Sequence, residues 1–156
     1  MQKLLISDFS QVLLFPKKIS YSGSLNKLYN QVVAEKQNFE DFYILNEPLL
    51  TELQKLEVEK VIFTTGTVQN APEIRSKVQA VFKKIFTVPM IGIQKTNSEA
   101  YTRICEELNT DPANALFIDD TQANVSAAQQ AGLEAVVYEN NAQILSAIES
   151  WIRNDA

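Results

Sequence analysis

The chain has no histidine, which removes Ser-His-Asp and Cys-His catalysis, together with every imidazole metal site. Any chemistry must lean on carboxylates, hydroxyls, lysine and a hard metal ion. Cys105 is the single cysteine, so there is no internal disulfide framework, and its use fits a reducing cytoplasm. No apolar run approaches the roughly 18 residues that a bilayer span requires. Met1-Gln2-Lys3 leads straight into a strand-like run rather than a signal peptide. Positive charge is also short, with 14 Lys and Arg against 19 Asp and Glu for a net charge of -5. Without a basic stripe the chain is not built to track nucleic-acid phosphates, and an acidic macromolecule suits it least. The expectation is a cytoplasmic protein with neither nucleic acid nor membrane as partner.

What is present is ordinary for a globular chain: 46% hydrophobic and 21% charged residues. A length of 156 residues predicts one domain over 1–156, able to bury a core without metal or disulfide staples. Short apolar runs at 3–7, 61–64, 85–88, 115–118 and 135–138 read as strands buried on both faces. Helical stripes separate them. Leu25, Leu28, Tyr29, Val32 and Val33 form one, and Leu49, Leu50, Leu53 and Leu56 another. Ile74, Val78, Val81 and Phe82 form a third, and Tyr101, Ile104, Cys105 and Leu108 a fourth, with Thr96 and Glu99 as its capping box. Val125, Ala128 and Ala131 stop at Gly132, a helix-ending residue, and Ile144, Leu145, Ile148 and Ile152 close the chain. This alternation predicts an α/β fold, a Rossmann-like α/β/α sandwich around a central parallel sheet. Residues 16–46 break the regularity, with one clear helix and the aromatics Phe39, Phe42 and Tyr43.

Chemistry-bearing residues gather at the predicted strand ends. Asp8 follows Leu4-Leu5-Ile6-Ser7, and Thr64, Thr65 and Gly66 follow the second strand. Lys95 stands just before a helix, and Asp119-Asp120, with Thr121 and Asn124, follow the fourth strand. If the strands are parallel and adjacent, these groups converge on one edge of the sheet. Phosphoryl or acyl-like transfer needs such a set. One carboxylate attacks, lysine and hydroxyl neutralise the transferring group, and further carboxylates hold Mg²⁺, which prefers oxygen ligands.

Gly92-Ile93-Gln94-Lys95-Thr96, followed by Phe117-Ile118-Asp119-Asp120-Thr121-Gln122-Ala123-Asn124-Val125-Ser126-Ala127-Ala128 and Gly132 to Tyr138, resembles the haloacid dehalogenase-like hydrolase superfamily. Its motifs run roughly GxxKP and then FxDDxxxNVxAAxxxGxxAxxY. With Asp8 and Thr64 in order, the resemblance covers most of the chain outside 16–46. It implies Asp8 as the nucleophile that forms an aspartyl intermediate and touches the metal. It implies Thr64, or Thr65 in the alternative register, with Gly66 and Lys95, as the phosphate-binding group. Asp120 is implied as the main metal-binding acid, with Asp119 as its partner. Asn124 is implied as a water-mediated ligand, and the Ser10 backbone carbonyl completes the set. A Mg²⁺ cofactor, and a small phosphate ester or phosphorylated macromolecule as substrate, follow from the same likeness.

Two departures qualify it. Family phosphatases read DxDGT where this chain reads Asp8-Phe9-Ser10-Gln11-Val12, so the second acid is a serine. Positioned acid–base catalysis is typically worth about 10²–10⁴-fold, so hydrolysis should be slow or confined to good leaving groups. Gln11 replaces a glycine that would tolerate positive φ without penalty. The second departure is room, because 16–46 holds only a reduced cap in place of a full helical lid.

Plainer roles stand beside these. Asp8 can be a turn residue, Lys95 a surface cation, and Asp119-Asp120 a helix N-terminal pair. Cys105 and Trp151 read as packing residues, the three aromatics as an anchor for the reduced cap, and Ser10 as no nucleophile, since nothing basic accompanies it. A weak phosphate monoester hydrolase is therefore set against a catalytically degenerate binding or regulatory protein, with a 2-haloacid dehalogenase-type hydrolase as the third option.

Overall fold

The structure, a computed structural model, describes residues 2–18 and 20–154. In chain order it contains β1 (Leu4–Ser7), β2 (Leu14–Pro16), α1 (Leu25–Ala34), β3 (Tyr43–Leu45), α2 (Glu47–Gln54), β4 (Glu59–Thr64) and α3 (Pro72–Gln79). There follow β5 (Lys84–Thr87), α4 (Val88–Ile91), α5 (Ser98–Glu107), β6 (Ala115–Asp119), α6 (Gln122–Gln130), β7 (Glu134–Val137) and α7 (Asn141–Arg153).

The five apolar runs pair in the order β5-β4-β1-β6-β7, every neighbour parallel. All of β1 is buried because it lies between two strands and beneath two helical layers. Side chains alternate between faces along each strand. Leu5, Ile62, Leu116 and Ile118 meet Leu49 and Leu53 of α2, Ile74 and Val78 of α3, and Ile144, Ile148 and Trp151 of α7. Leu4, Ile6, Val61, Phe63, Phe86 and Phe117 meet Tyr101, Ile104 and Cys105 of α5 and Ala127 and Ala128 of α6. The three-layer α/β/α architecture predicted from the alternation is thus present. At about 1.5–3 kcal/mol per fully buried large apolar side chain, the two clusters hold the sheet flat against its helices.

Helix ends follow local chemistry, with one correction. The capping box expected from Thr96 to Glu99 does not form. Asn97 is the N-cap of α5, its side-chain oxygen accepting from the Glu99 N–H at 3.0 Å. Asparagine is as good an N-cap as threonine, and with it in place Glu99 stands one residue short of the third helical position that the box needs. Gly132 does end α6, at φ 96, and the Leu133 N–H reaches back to the Ala128 carbonyl at 3.2 Å.

One element was not expected. Leu14-Phe15-Pro16 and Tyr43-Ile44-Leu45 pair antiparallel, so the chain leaves the sheet layer through one strand of this ribbon and returns through the other. Tyr43 stacks on Phe39 with ring centroids 4.4 Å apart and donates its hydroxyl to the Leu25 carbonyl at 2.6 Å. Phe39, Tyr43 and Leu25 share a core cluster with Leu5 and Ile62 of the sheet, and Phe42 packs against it half-buried. The aromatics therefore pin α1 to the body of the protein.

Candidate active site

The central place of β1 decides what its end meets. Ser7 is level with Ile62 of β4 and Ile118 of β6, so the chain leaves the sheet at Asp8 between two other strand ends. This is where strand order reverses and where open parallel sheets collect ligands. The Asp8 N–H donates to the Ile118 carbonyl at 2.8 Å, and the Phe9 N–H donates to Asp8 Oδ1 at 2.7 Å. The Asp8 side chain is only 9% exposed.

Lys95 arrives from a different direction. Gly92 ends α4 at φ 76, and the following turn leads Lys95 back across the sheet edge. Its ammonium donates to Asp8 Oδ1 at 2.7 Å and to Asp119 Oδ2 at 2.8 Å. It lies 5.6 Å from the Phe63 ring centroid and 5.8 Å from that of Phe117. Tyr101 packs edge-on against Phe63 and donates its hydroxyl to the Lys95 carbonyl at 2.6 Å. Lys95 is thus fixed at both its backbone and its tip.

Asp119 is fully buried at the end of β6. Its Oδ1 accepts from the Thr121 N–H at 2.8 Å, and its Oδ2 accepts from the Asn124 amide at 3.1 Å as well as from Lys95. Asp120, by contrast, is exposed and faces the cleft. Carboxylate oxygens of Asp8, Asp119 and Asp120 lie within 4.8 Å of one another. These three acids share one ammonium, and the imbalance shows. Burial pushes the Asp8 carboxyl up to about 7, with Asp119 and Asp120 adding to the rise and Lys95 opposing it. Burial and the neighbouring Asp119 also raise Asp120. Burial alone would lower Lys95, but Asp8 and Asp119 outweigh it and hold the ammonium above its usual range. A compact, all-oxygen, electron-rich set of this kind suits a hard divalent cation.

The turn after Asp8 keeps its shape despite Gln11. That residue itself takes the left-handed backbone, φ 65, at a cost of about 1 kcal/mol for a residue with a Cβ. The strain is held by bonds on both sides, from the Leu13 N–H to Phe9 and the Gln11 N–H to Leu14, each at 2.8 Å. Asn46 locks the turn from below. Its N–H donates to the Leu13 carbonyl at 2.7 Å and its amide to Val12 at 2.9 Å, while Asn141 of α7 donates to Asn46 Oδ1 at 2.9 Å. Within this turn the Ser10 hydroxyl is buried and has no hydrogen-bond partner.

These groups open into a cleft of about 220 Å³. Asp8, Ser10, Lys95, Asp120 and Asn124 line it as the motifs led one to expect, and so does Thr65. Thr64 is buried behind it, 1% exposed, so of the two registers considered it is Thr65 that lines the cleft. Gly66 does not face the cleft, because Asn26 of α1 lies against it. A Cβ added at Gly66 would stand 2.0 Å from the Asn26 amide carbon. Asn26 Oδ1 accepts from the N–H groups of Thr67 at 2.8 Å and Val68 at 2.9 Å. Gly23, Ser24 and Asn26 form the far wall of the cleft. Asn26 and the part that Tyr101 plays at the site escaped the sequence reading, whereas Thr121 was placed beside the acid pair. Tyr101 was visible only as part of an apolar stripe, and nothing local marks an asparagine that bonds 41 residues away.

Comparison with known proteins bears on this arrangement. The family model described as a haloacid dehalogenase-like hydrolase matches residues 23–132. The validoxylamine A 7'-phosphate phosphatase of Streptomyces hygroscopicus subsp. limoneus is 28% identical over 90 residues, which is 56% of this chain and 42% of that protein. This chain therefore spans less than half the length of that curated relative. Among solved structures, a HAD-like family hydrolase from Porphyromonas gingivalis superimposes with a TM-score of 0.69 at 15% identity, covering 99% of this chain and 100% of that one. A HAD family enzyme from Bacteroides thetaiotaomicron, in complex with magnesium and inorganic phosphate, does so with a TM-score of 0.64 at 18% identity, covering 89% and 95%. At these identities the structural likeness establishes the fold.

Proposed function

The chain belongs to the haloacid dehalogenase-like hydrolases, and within that family we propose that it is a Mg²⁺-dependent phosphate monoester hydrolase with Asp8 as nucleophile. The observation that carries the reading is the Lys95 ammonium bridging Asp8 and Asp119 at 2.7 and 2.8 Å, with Asp120 beside them. Asp120, Asp8 and the Ser10 carbonyl would hold Mg²⁺ with Asp119 behind them, and the ion would offset charge on the transferring group. Asn124 acts through Asp119, to which it is bonded. Lys95 keeps the Asp8 oxygen aimed along the sheet edge and steadies the phosphoryl oxygens. Thr65 presents a hydroxyl to the same cleft, and Thr64 supports it from beneath.

Asp8 attacks phosphorus and the ester oxygen leaves; water then cleaves the aspartyl phosphate. Ser10 in place of an acid makes both protonation of the leaving group and activation of water slow. A small phosphate ester fits a cleft of this size, and the magnesium and phosphate bound by the Bacteroides thetaiotaomicron enzyme support the ligand class. The Ser10 substitution also favours a second reading, a family member that binds phosphorylated ligands without turning them over. The two separate on an activated aryl phosphate. Slow, Mg²⁺-dependent phosphate release, abolished in Asp8→Asn, is the expected result. Release no faster than the Asp8→Asn background, across a broad panel of phosphate esters, would sink the hydrolase reading.

A further inference from the structure

We propose that this chain is phosphorylated on Asp8 by acyl phosphates and that the phospho-aspartate persists, so the two half-reactions of the site run at very different rates. The inference rests on the hydrolase reading above, because it takes Asp8 as the nucleophile. It adds what the cleft as a whole can do with protons.

Of the described residues that line the cleft, only three ionise: Asp8, Lys95 and Asp120. Asp8 is the attacking group. Lys95 spends its ammonium on two carboxylates, and a protonated lysine has no lone pair with which to accept a proton. Asp120 is one of the three acids grouped closely enough to hold a cation. The wall contributed by residues 23–26 supplies no substitute. Ser24 caps α1, accepting from the Lys27 N–H, and Asn26 is committed to two backbone N–H groups. Ser10 stands in the turn after Asp8 with an unspent hydroxyl, which can donate a hydrogen bond but cannot give up or take a proton near neutral pH. Among the described residues that line the cleft, no group is free to serve as acid or base.

The consequences for the two steps differ. In the first, an Asp8 oxygen forms a bond to phosphorus and the bond from phosphorus to the leaving oxygen breaks, its electron pair leaving with that oxygen. An alkyl ester would release an alkoxide, which must be protonated. An acyl phosphate releases a carboxylate, which is stable as the anion, so no proton is required. In the second step water attacks phosphorus, the bond to the Asp8 oxygen breaks, and its electron pair returns to the carboxylate. The attacking water must lose a proton, and the cleft offers nothing to receive it. Phosphorylation by an acyl donor is therefore unhindered, whereas dephosphorylation lacks a contribution typically worth about 10²–10⁴-fold.

Acetyl phosphate with Mg²⁺ is the probe. Intact-mass measurement should show one added phosphoryl group per chain, stable for many times the labelling time, released by hydroxylamine and absent in Asp8→Asn. With p-nitrophenyl phosphate, nitrophenol should appear as a burst close to one equivalent, followed by a steady state about 10²-fold slower or more. Ser10→Asp should shorten the lifetime of the label, and adding imidazole to the unaltered protein should do the same should that variant fail to fold. Asp8-dependent phosphate release with no burst and no label would overturn the persistent intermediate while leaving the hydrolase reading intact. Neither label nor Asp8-dependent release from any donor would remove both.

Discussion

The floor of the cleft and its rim are built on opposite plans. Asp8, Lys95 and Asp119 are buried and bonded to one another, and each is held by a backbone or aromatic neighbour that fixes its direction. The rim carries Ser10, Gln11, Ser24, Asn26 and Thr65, all neutral, and the bonds of Gln11, Ser24 and Asn26 go to holding a turn or a helix end. Charge is thus concentrated in the floor, while proton transfer would have to live in the rim. The two can be lost separately. A change at Ser10, whose hydroxyl bonds to none of the floor residues, leaves every floor contact in place, whereas removing a floor charge strands its partners in low dielectric.

The sharpest way to test this separation is at Lys95. Lys95→Met leaves Asp8 and Asp119 buried without their cation, and breaking a buried pair in this way costs about 3–5 kcal/mol. Chemical denaturation should show a loss of that order together with loss of phosphate release. A variant as stable as the parent would mean that the floor is not held by its charges.

A second effect, smaller because it can be relieved by uptake of one proton, concerns pH. Asp8 ionises at about 7 in the folded protein against 3.8 without its surroundings. Between these values the folded chain keeps a proton that the unfolded chain has released. By linkage the contribution of Asp8 is greatest below the lower value and is lost as pH rises through about 7. Lys95, shifted upward, stays charged throughout that window and does not mask the trend. The melting temperature of the metal-free protein should therefore fall between mildly acidic and mildly alkaline buffer. Asp8→Asn should flatten the slope, and Mg²⁺ should restore stability at the alkaline end. A slope unchanged by Asp8→Asn would place the titrating group elsewhere.

How much of this was legible beforehand follows the same division. The five parallel strands could be read because burial on both faces leaves an unbroken apolar run such as Leu4-Leu5-Ile6, and the floor could be read because Asp8 and Asp119-Asp120 stand at the ends of such runs and Lys95 just before a helix. The rim could not. β2 and β3 have three residues each, too few to display alternation, and their pairing spans a helix. Thr64 and Thr65 are adjacent and chemically alike, so only the pleat decides which of them meets the cleft. Asn26 looks like any polar residue on an amphipathic helix until the fold brings it against Gly66.

Asn26 therefore tests whether the rim is more than a passive edge. Asn26→Ala removes the acceptor shared by the Thr67 and Val68 N–H groups, at about 1 kcal/mol per lost bond where the donors are not rescued by water. Thr67 is exposed and Val68 is not, so the loss should sit near the lower end, roughly 1 kcal/mol, with faster hydrogen exchange confined to residues 65–70. Exchange that spreads into β4 would show that the rim supports the floor after all, and the two plans would then be one.

The smallest effect should come from Gln11, and its sign is the point. Its backbone stands in the left-handed region, where glycine would relieve about 1 kcal/mol of strain but widen the unfolded ensemble by about 0.4–1 kcal/mol. The two nearly cancel, so Gln11→Gly should move stability by only a few tenths of a kcal/mol, toward the more stable side. Its effect on chemistry should be equally slight, since the turn is already held by Asn46 and by the Phe9 and Leu14 carbonyls. If this variant instead speeds phosphate release well beyond that of the parent, the rim limits turnover through the shape of its turn, and the missing acid at Ser10 is not the whole reason that the two halves of the site are mismatched.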